Sequence, residues 1–281
     1  MKKTLLLTEN FPPKEGGSGR WFWELYSRLP NDKVLIVAND TPEGREFDNT
    51  HELDIVRIEL ESTEWGLAST KGLGFYWETI RKVLKLIKEH DIKEVHCGRV
   101  IPEGVIARAL KLLAGARYNC FVHGEDVETA ATSREHSLLV KNVCKNAAML
   151  ICNSENTANI VRKLGFDSGS KCEVLHPGVD TSRFEVAAPD TSFRQQMGWS
   201  GKRVLLTVGR LQRRKGQDFL IKSMPALLKE FPDLFYAVVG RGECYDELIS
   251  LVDQHELHDN VCVYPDMDDE ALIKCYQQCD I

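Results

Sequence analysis

The sequence predicts an α/β protein with parallel sheets, and three observations support this fold class. Short apolar segments alternate with amphipathic segments along most of the 281 residues, which is typical of strands joined by crossover helices. The alternation stops at His176–Gly201, where proline and glycine accumulate as in a linker. It resumes after this linker. We therefore expect two α/β domains, residues 1–185 and residues 186–281.

In the first half, the apolar segments predict strands at Thr4–Thr8, Val34–Ala38, Asp54–Leu60, Glu94–Cys97, Asn119–Val122, Met149–Cys152 and Cys172–Leu175. The amphipathic segments predict helices at Gly19–Leu29, Phe75–His90, Pro102–Leu113, Arg134–Asn146 and Ser154–Leu164. Proline in the first turn favours the third helix, and Ser154 with Gly165 would cap the last one. Glu9–Ser18 is rich in proline and glycine, which predicts a loop.

The predicted helix Phe75–His90 has two different faces. An apolar stripe runs along one side, and the other side is basic, with Arg81, Lys82, Lys85 and Lys88. Such a helix packs its stripe against a sheet with its charges in solvent, or it lies on an anionic membrane surface. The sequence leaves both interpretations open.

The second half repeats the strand and helix pattern. We predict strands at Arg203–Val208, Phe235–Val239 and Asn260–Tyr264, and helices at Gln217–Glu230, Tyr245–His255 and Asp268–Gln278. These few units would leave much apolar helix surface uncovered. We therefore expect that the second domain is incomplete and that the chain is part of a longer protein.

The composition limits the possible functions. The formal net charge is −6, the isoelectric point is about 5.8, and 43% of the residues are apolar. This indicates a soluble globular protein and argues against general nucleic-acid binding. No apolar segment approaches the about 18 residues of a membrane-spanning helix. The nine cysteines lack the spacing of a disulfide framework or a zinc site, so we expect reduced thiols in a cytoplasmic protein.

A basic cluster follows the first strand of the second half. Gly209 ends this strand, and Gly216 precedes the next helix. Between the two glycines lie four cations: Arg210, Arg213, Arg214 and Lys215. Because open α/β sheets bind ligands at the carboxyl ends of strands, and because a helix N-terminus attracts anions, the cluster predicts an anion site. The alternative is a solvated basic loop. The glycine patterns of a P-loop and of a dinucleotide-binding turn are absent.

Asp266-Met267-Asp268 has the D-x-D spacing that binds a metal ion in some enzymes. However, Asp268 directly precedes a predicted helix, and Asp269 and Glu270 fall in the first turn of that helix. An N-cap with acids that complement the helix dipole accounts for all of these residues. We therefore expect no metal site.

Four segments together resemble the retaining glycosyltransferases of family GT4. They are Glu15-Gly16-Gly17, His123-Gly124-Glu125, Glu173–Phe184 (EVLHPGVDTSRF) and Gly209–Gly216 (GRLQRRKG). The segments follow the family's order along the whole chain. The resemblance implies the GT-B fold, in which two Rossmann-like domains face a cleft, here with the second domain incomplete. Residues 1–185 would be the acceptor-side domain, and residues 186–281 would be part of the nucleotide-sugar donor domain.

The resemblance also implies which residues bind the donor. They lie in the glycine-rich turns and the basic cluster: Gly16, Gly17, Gly209, Arg210, Lys215 and Gly240. Arg210 and Lys215 would hold the diphosphate and stabilise the charge that develops on the leaving group, which makes them catalytic residues. The backbone N–H groups of Gly16 and Gly17 would contact the phosphate from the other domain. A flexible turn is the alternative for this glycine pair.

Three further residues are predicted to contact sugars. The family uses the histidine at the position of His123 to contact the transferred sugar, so His123 is a predicted catalytic residue. The alternative is a structural histidine. Glu125 and Asp126 follow it and are predicted to bind the acceptor or the sugar, with a simple turn as the alternative.

The sequence departs from the family pattern at two places. The family carries a Glu-x7-Glu motif, which contacts the transferred sugar and the nucleotide ribose, at a position beyond Ile281. Related chains also have glycine after the strand that corresponds to Asn260–Tyr264, whereas this chain has Pro265-Asp266. The turn that contacts the nucleotide base is therefore expected to differ.

The sequence thus predicts a metal-independent retaining glycosyltransferase. It would move a hexose-type sugar from a nucleoside-diphosphate sugar to a glycan or lipid-linked acceptor, without a cofactor, and the donor phosphate would take the acceptor proton. Two alternatives are a sugar-nucleotide epimerase on the same fold and a non-catalytic nucleotide-binding module. We expect a cytoplasmic location, with peripheral contact at the inner face of the membrane as a variant, and no nucleic-acid partner. The aromatic run Trp21-Phe22-Trp23 fits either a lipid-linked acceptor or core packing.

Overall fold

The computed structural model describes residues 3–14, 16–62, 64–131, 133–167, 171–265 and 267–281, without the side chains of residues 129–131. The chain divides into two compact units, Met1–Gly178 and Val179–Ile281. This division falls within the linker predicted from the sequence. The domain boundary after residue 185 stays a prediction.

Unit 1 contains a seven-stranded parallel sheet. Its strands are β1 (Thr4–Thr8), β2 (Val34–Asn39), β3 (Ile55–Ile58), β4 (Glu94–Cys97), β5 (Arg117–Val122), β6 (Met149–Cys152) and β7 (Cys172–Val174). Its helices are α1 (Gly17–Tyr26), α2 (Gly44–Asn49), α3 (Thr70–Glu89), α4 (Glu103–Ala114), α5 (Glu125–Ala131), α6 (Arg134–Asn146) and α7 (Glu155–Lys163).

Both faces of this sheet are covered. Leu5 and Leu7 of β1 belong to a core that includes residues of α3, α4 and α6, whereas Leu6 packs on the opposite face with Phe22 of α1. All five residues of β1 are buried, which explains the unbroken apolar sequence of this strand. The strands of the sheet pair in parallel. The predicted parallel α/β fold class is therefore confirmed.

The strand order defines where a ligand is favoured in unit 1. The order across the sheet is β3-β2-β1-β4-β5-β6-β7, so the chain turns to opposite sides after β1 and after β4. In open α/β sheets, ligands bind at the carboxyl ends of the strands beside such a switch point. Residues that follow β1 and β4 occupy this place.

Unit 2 contains a three-stranded parallel sheet in the order β10-β9-β8. Its strands are β8 (Arg203–Val208), β9 (Leu234–Val239) and β10 (Val261–Tyr264). Its helices are α8 (Thr191–Gln196), α9 (Gln217–Glu230), α10 (Tyr245–Gln254) and α11 (Asp269–Gln278). Asp280 and Ile281 donate backbone hydrogen bonds to the Val204 carbonyl at the outer edge of β8, over 3.0 and 3.1 Å.

Three short helices lie in the predicted linker or in segments for which the sequence predicted no helix or strand. α2 and α8 have six residues each and α5 has seven, so they are too short to show helical periodicity. Two longer helices start earlier than predicted. α1 begins at Gly17, inside the predicted loop Glu9–Ser18, and α3 begins at Thr70, where the Ser69 hydroxyl accepts a hydrogen bond from the Gly72 N–H over 2.9 Å.

The acids before α11 act as the sequence predicted. Asp268 is the N-cap of this helix, because its carboxylate accepts a hydrogen bond from the Ala271 N–H over 2.7 Å. Asp269 and Glu270 lie in the first turn. The N-cap interpretation is confirmed, and Asp266 lies outside the described residues.

A buried arginine holds the loop after β1. Arg57 of β3 forms a two-point ion pair with Asp48 of α2, over 2.7 and 3.0 Å. Its guanidinium also donates hydrogen bonds to the carbonyls of Asn39 and Pro12, over 3.1 and 2.7 Å. Only 7% of the Arg57 side chain is exposed. One side chain therefore connects β2, α2 and the loop that leads to α1.

We expect Arg57→Ala to lower the free energy of unfolding by about 2–4 kcal/mol, because it leaves a carboxylate and two carbonyls without their partner. Arg45→Ala is the control, since Arg45 is an exposed arginine on α2, the helix that carries Asp48, the partner of Arg57. It should change the unfolding free energy by less than about 0.5 kcal/mol. Urea unfolding followed by circular dichroism measures both values. Equal losses in the two variants would contradict this role for Arg57.

Candidate functional site

Two glycines bring the ends of β8 and β9 into direct backbone contact. The Gly209 N–H donates to the Val239 carbonyl over 2.9 Å, and the Gly240 N–H donates to the Tyr264 carbonyl over 3.0 Å. A Cβ atom on Gly240 would lie 2.2 Å from the Gly209 carbonyl oxygen, and the φ angle of Gly240 is +146°. Only glycine fits such a position. The sequence predicted both glycines as donor-binding residues, and the structure brings them together.

The loops that follow these glycines also hold each other. The Leu211 N–H donates to the Arg241 carbonyl over 2.9 Å, and the Cys244 N–H donates to the Leu211 carbonyl over 3.1 Å. A Cβ atom on Gly242 would lie 2.3 Å from the Leu211 carbonyl oxygen. The two loops therefore form one rigid backbone surface at the carboxyl edge of the sheet.

The basic cluster lies on this surface. Arg210 and Lys215 are exposed, as is Arg241 from the neighbouring loop. The Arg241 Nε donates to the Pro265 carbonyl over 3.0 Å, and Arg213 pairs with Glu247 of α10 at 3.4 Å. Cations from two loops thus meet at one edge of unit 2. Such an arrangement can bind a diphosphate.

The backbone within the cluster is more ordered than the sequence indicated. Arg213–Lys215 form a turn of 3-10 helix, and Gly216 follows with a φ angle of +74°. No side chain caps the N-terminus of α9 at Gly216. The buried Gln217 side chain donates from Nε2 to the Arg210 carbonyl over 3.1 Å, which fixes the start of the loop to the start of the helix.

In unit 1, His123 directly follows β5 and is half-buried. Its Nε2 lies 2.9 Å from the Gly98 carbonyl oxygen, which can only accept, so Nε2 carries a proton. The edges of the Trp21 and Phe22 rings pack near the imidazole, with centroid distances of 5.9 and 6.0 Å. Backbone and aromatic contacts therefore fix the orientation of the ring.

Asp126 holds the turn in which it lies. Its Oδ1 accepts from the N–H groups of His123 and Val127, over 3.1 and 3.0 Å, and its Oδ2 accepts from the Val100 N–H over 3.4 Å. The carboxylate thus joins the loops after β4 and β5. Glu125 is exposed at the start of α5. The predicted contacts of Glu125 and Asp126 with an acceptor or sugar stay predictions.

The glycine pair of the first loop lies at the beginning of a helix. Gly16 is the N-cap of α1 and Gly17 is its first residue, whereas Glu15 lies outside the described residues. A Cβ atom on Gly17 would have no atom within 4 Å, so space is open on this side. Trp21, which packs on His123, lies one turn later on the same helix. Helix α1 therefore connects two of the predicted site regions of unit 1.

Three charged residues at the switch point were not predicted from the sequence. Glu9 follows β1, and Arg99 follows β4 and pairs with Glu9 at 3.4 Å. Glu103, the first residue of α4, is fully buried and accepts from the Glu9 N–H over 2.9 Å. Burial raises the pKa of the Glu103 carboxyl, and the nearby Arg99 opposes the shift. Charged residues one and two positions after the ends of β1 and β4 were the signal that could have identified this group.

A model of the family described as Glycosyltransferase Family 4 matches residues 15–183, which is more than half of the chain. The chain belongs to this family. A second model, described as Glycosyl transferases group 1, matches residues 190–281 of the family 4 chain. The resemblance stated from the sequence motifs is confirmed.

Curated relatives of this family 4 chain include two mannosyltransferases. It is 28% identical over 249 residues to the GDP-mannose-dependent alpha-(1-6)-phosphatidylinositol monomannoside mannosyltransferase of Mycolicibacterium smegmatis, with 87% of this chain and 62% of that protein covered. It is 26% identical over 246 residues to the GDP-mannose-dependent monoacylated alpha-(1-6)-phosphatidylinositol monomannoside mannosyltransferase of Corynebacterium glutamicum, with 86% of this chain and 61% of that protein covered. The chain therefore spans about six-tenths of the length of these relatives.

Solved structures show the fold of the family 4 chain. HepE from Anabaena, crystallised with UDP, has a TM-score of 0.75 at 19% identity, and the match covers 97% of this chain and 71% of HepE. WaaG, a glycosyltransferase involved in lipopolysaccharide biosynthesis, has a TM-score of 0.64 at 17% identity, with 95% and 71% covered. The predicted GT-B fold is confirmed.

The contact between the two strand ends can be tested with Gly240→Ala. The added Cβ would meet the Gly209 carbonyl and an unfavourable φ angle, so we expect a loss of unfolding free energy of about 2 kcal/mol or more. Gly178→Ala is the control, because a Cβ there meets nothing within 4 Å. Chemical denaturation of both variants provides the measurement. Wild-type stability in Gly240→Ala would be incompatible with the close approach of the two turns.

Proposed function

We propose that the chain is the larger part of a retaining glycosyltransferase that uses a nucleoside-diphosphate sugar. One observation carries the proposal: in a chain of family 4, two glycine turns and exposed cations meet at the carboxyl edge of unit 2. A Cβ atom on Gly209 would meet no atom within 4 Å, so the backbone there is open to a diphosphate, and the cations match its charge.

In this proposal, Arg210 and Lys215 bind the diphosphate of the donor, with the backbone of Gly209 and Gly240 beside it. As the bond between the sugar and the phosphate breaks, negative charge grows on the leaving diphosphate. Fixed cations stabilise that charge, and loss of one such group costs roughly 10²–10³ in rate in comparable sites. In unit 1, Gly16 and Gly17 present backbone N–H groups at the start of α1, which can bind a phosphate. The reaction then needs no metal ion or other cofactor.

His123 contacts the transferred sugar in the proposed reaction. The acceptor oxygen forms a bond to the anomeric carbon on the face from which the diphosphate leaves, and the acceptor proton passes to a phosphate oxygen. The anomeric configuration is thereby retained and a nucleoside diphosphate is released. Because Nε2 of His123 is held by the Gly98 carbonyl, Nδ1 is the nitrogen that can bind a sugar hydroxyl.

GDP-mannose is the first donor to test, because the curated relatives named above are GDP-mannose-dependent mannosyltransferases. UDP-sugars are the second, because HepE was crystallised with UDP. We propose a glycan or lipid-linked acceptor. Transfer is preferred over epimerisation because the curated relatives named are transferases. Release of nucleoside diphosphate in proportion to acceptor glycosylated distinguishes the two.

We expect Arg210→Ala and Lys215→Ala each to weaken GDP or UDP binding by roughly ten- to a hundredfold. This is the loss in affinity that follows from removing one hydrogen bond to a charged group. Calorimetric titration of the folded variants measures the affinities. His123→Ala is the informative comparison, because it should keep the nucleotide affinity and lose turnover. Unchanged affinity in both cation variants would refute the phosphate assignment. Absence of nucleotide binding by the wild-type chain would show that these residues alone do not form the donor site.

We also propose that α3 contacts an anionic lipid surface. Leu73 and Trp77 lie one turn apart on this helix and are 52% and 73% exposed. The helix carries five Lys or Arg residues and two Glu, so it is basic. Within the described ranges, no helix is both long and apolar enough to cross a bilayer. Contact would therefore be peripheral, with the two apolar side chains in the headgroup region.

The lipid contact predicts that the double variant Leu73→Ser, Trp77→Ser loses most of its binding to phosphatidylglycerol vesicles in a sedimentation assay. Binding of the wild type should fall as salt is raised, because screening weakens the attraction of the basic face. Leu112→Ser is the control, since Leu112 on α4 is 72% exposed. Equal vesicle binding by all three proteins would exclude α3 as the contact surface.

A further inference from the structure

A cavity of about 480 Å³ lies in unit 1 between the loop that follows β3 and the start of α6. Six of its lining residues carry polar or aromatic side chains: Ser62, Glu64, Trp65, Ser69, Glu135 and His136. The volume falls within the range of about 300–1,000 Å³ that is usual for small-molecule sites. Neither the donor residues nor His123 line this cavity.

The loop that forms one wall is fixed by side chains from two helices. The Tyr76 hydroxyl of α3 donates to the Trp65 carbonyl over 2.8 Å. The Glu135 Oε1 of α6 accepts from the N–H groups of Leu67 and Ala68, over 2.5 and 2.9 Å. The position of Trp65 is therefore determined before any ligand binds.

Two glycines allow the loop to pack this closely. A Cβ atom on Gly72, in the first turn of α3, would lie 2.0 Å from the Gly66 carbonyl oxygen. A Cβ atom on Gly66 would lie 2.9 Å from the Glu135 Oε2. A side chain at position 72 would push the loop away from α3, and a side chain at position 66 would displace the Glu135 carboxylate that binds the loop. Glycine at positions 66 and 72 therefore allows this loop to pack against α6 and α3.

The lining determines which class of ligand fits. Among the described residues that line the cavity, Glu64 and Glu135 are acidic and none is a Lys or Arg. A phosphate would be repelled. An uncharged polyhydroxylated ring fits, because its hydroxyls can donate to carboxylates and exchange hydrogen bonds with Ser62 and Ser69. Its C–H face can pack on the half-buried ring of Trp65.

The cavity is connected to the switch point of the sheet. The Arg99 guanidinium lies 6.0 Å from the centroid of the Trp65 ring and also pairs with Glu9 at 3.4 Å. Arg99 is the second residue after the end of β4. Trp65, Arg99 and Glu9 therefore form a chain of neighbouring side chains. It connects a sugar ring at Trp65 to the switch point between β1 and β4, where the fold favours a ligand.

On the basis of the transferase function proposed above, we propose that this cavity binds a sugar ring of the acceptor. The ligand is a neutral hexose-type ring, whether it belongs to a free glycan or to the headgroup of a glycolipid. Trp65 supplies the stacking face, and Glu64 and Glu135 accept hydrogen bonds from the ring hydroxyls. This assigns the acceptor to residues that the sequence motifs do not include.

The test is direct binding of methyl α-D-mannopyranoside, methyl α-D-glucopyranoside and maltose to the 281-residue chain, measured by saturation-transfer NMR and calorimetry. We expect affinities in the millimolar range and a loss of about tenfold or more in Trp65→Ala. Trp65→Phe keeps an apolar ring and should retain most of the affinity. Glu64→Gln should lower the affinity, and Glu46→Gln, an exposed acid on α2, is its matched control.

The source of the ring is resolved in a second arm with phosphatidylcholine vesicles that do or do not carry a monoglycosyldiacylglycerol. A Trp65-dependent preference for the glycolipid vesicles supports a lipid-linked acceptor, and Trp65-dependent binding of the soluble sugars alone supports a glycan acceptor. GDP and UDP titrations of the same samples keep the two proposals separate. Nucleotide binding without Trp65-dependent sugar binding overturns the cavity assignment only. Trp65-dependent sugar binding without nucleotide binding supports the cavity as a sugar site and overturns the transferase proposal.

Discussion

Parallel pairing of the strands is the constraint on which the chemistry of both units depends. In a parallel sheet the carboxyl ends of the strands meet at one edge, so loops that are distant in sequence become neighbours. In unit 2 this edge joins Gly209 and Gly240 through their backbones. In unit 1 it joins Glu9 and Arg99 as an ion pair next to the buried Glu103. In unit 2 the loops at this edge are joined by backbone contacts between glycines, and in unit 1 they are joined by an ion pair.

The net charge of −6 does not show that positive and negative side chains are concentrated in different parts of the chain. The carboxyl edge of unit 2 carries cations from two loops, whereas the described residues that line the cavity of unit 1 include two acids and no Lys or Arg. A diphosphate and a neutral sugar ring need these opposite environments. Under the two proposals, a diphosphate at the cavity would meet carboxylates of its own sign, so the charge pattern would contribute to selectivity as well as to affinity.

The sequence predicted the two sheets well because β1, β2 and β9 are buried along their whole length and therefore read as apolar runs. It also located Gly209, Gly240 and the basic cluster, since these follow a strand end directly. It did not predict α2, α5 and α8, which are too short for a periodic signal. The structural role of Asp126 and the cavity at Trp65 could not be predicted either. Both depend on contacts between segments that are far apart in the chain, which no local pattern encodes.

The attachment of the Trp65 loop to α3 has a mechanical consequence. Tyr76 and Gly72 belong to that helix, and both fix the loop by its backbone. Because Glu135 holds Leu67 and Ala68 of the same loop to α6, a tilt or translation of α3 relative to α6 would strain the loop that carries the indole. If a bilayer binds the exposed residues Leu73 and Trp77 and displaces this helix, the shape of the cavity would change, although neither residue lines it.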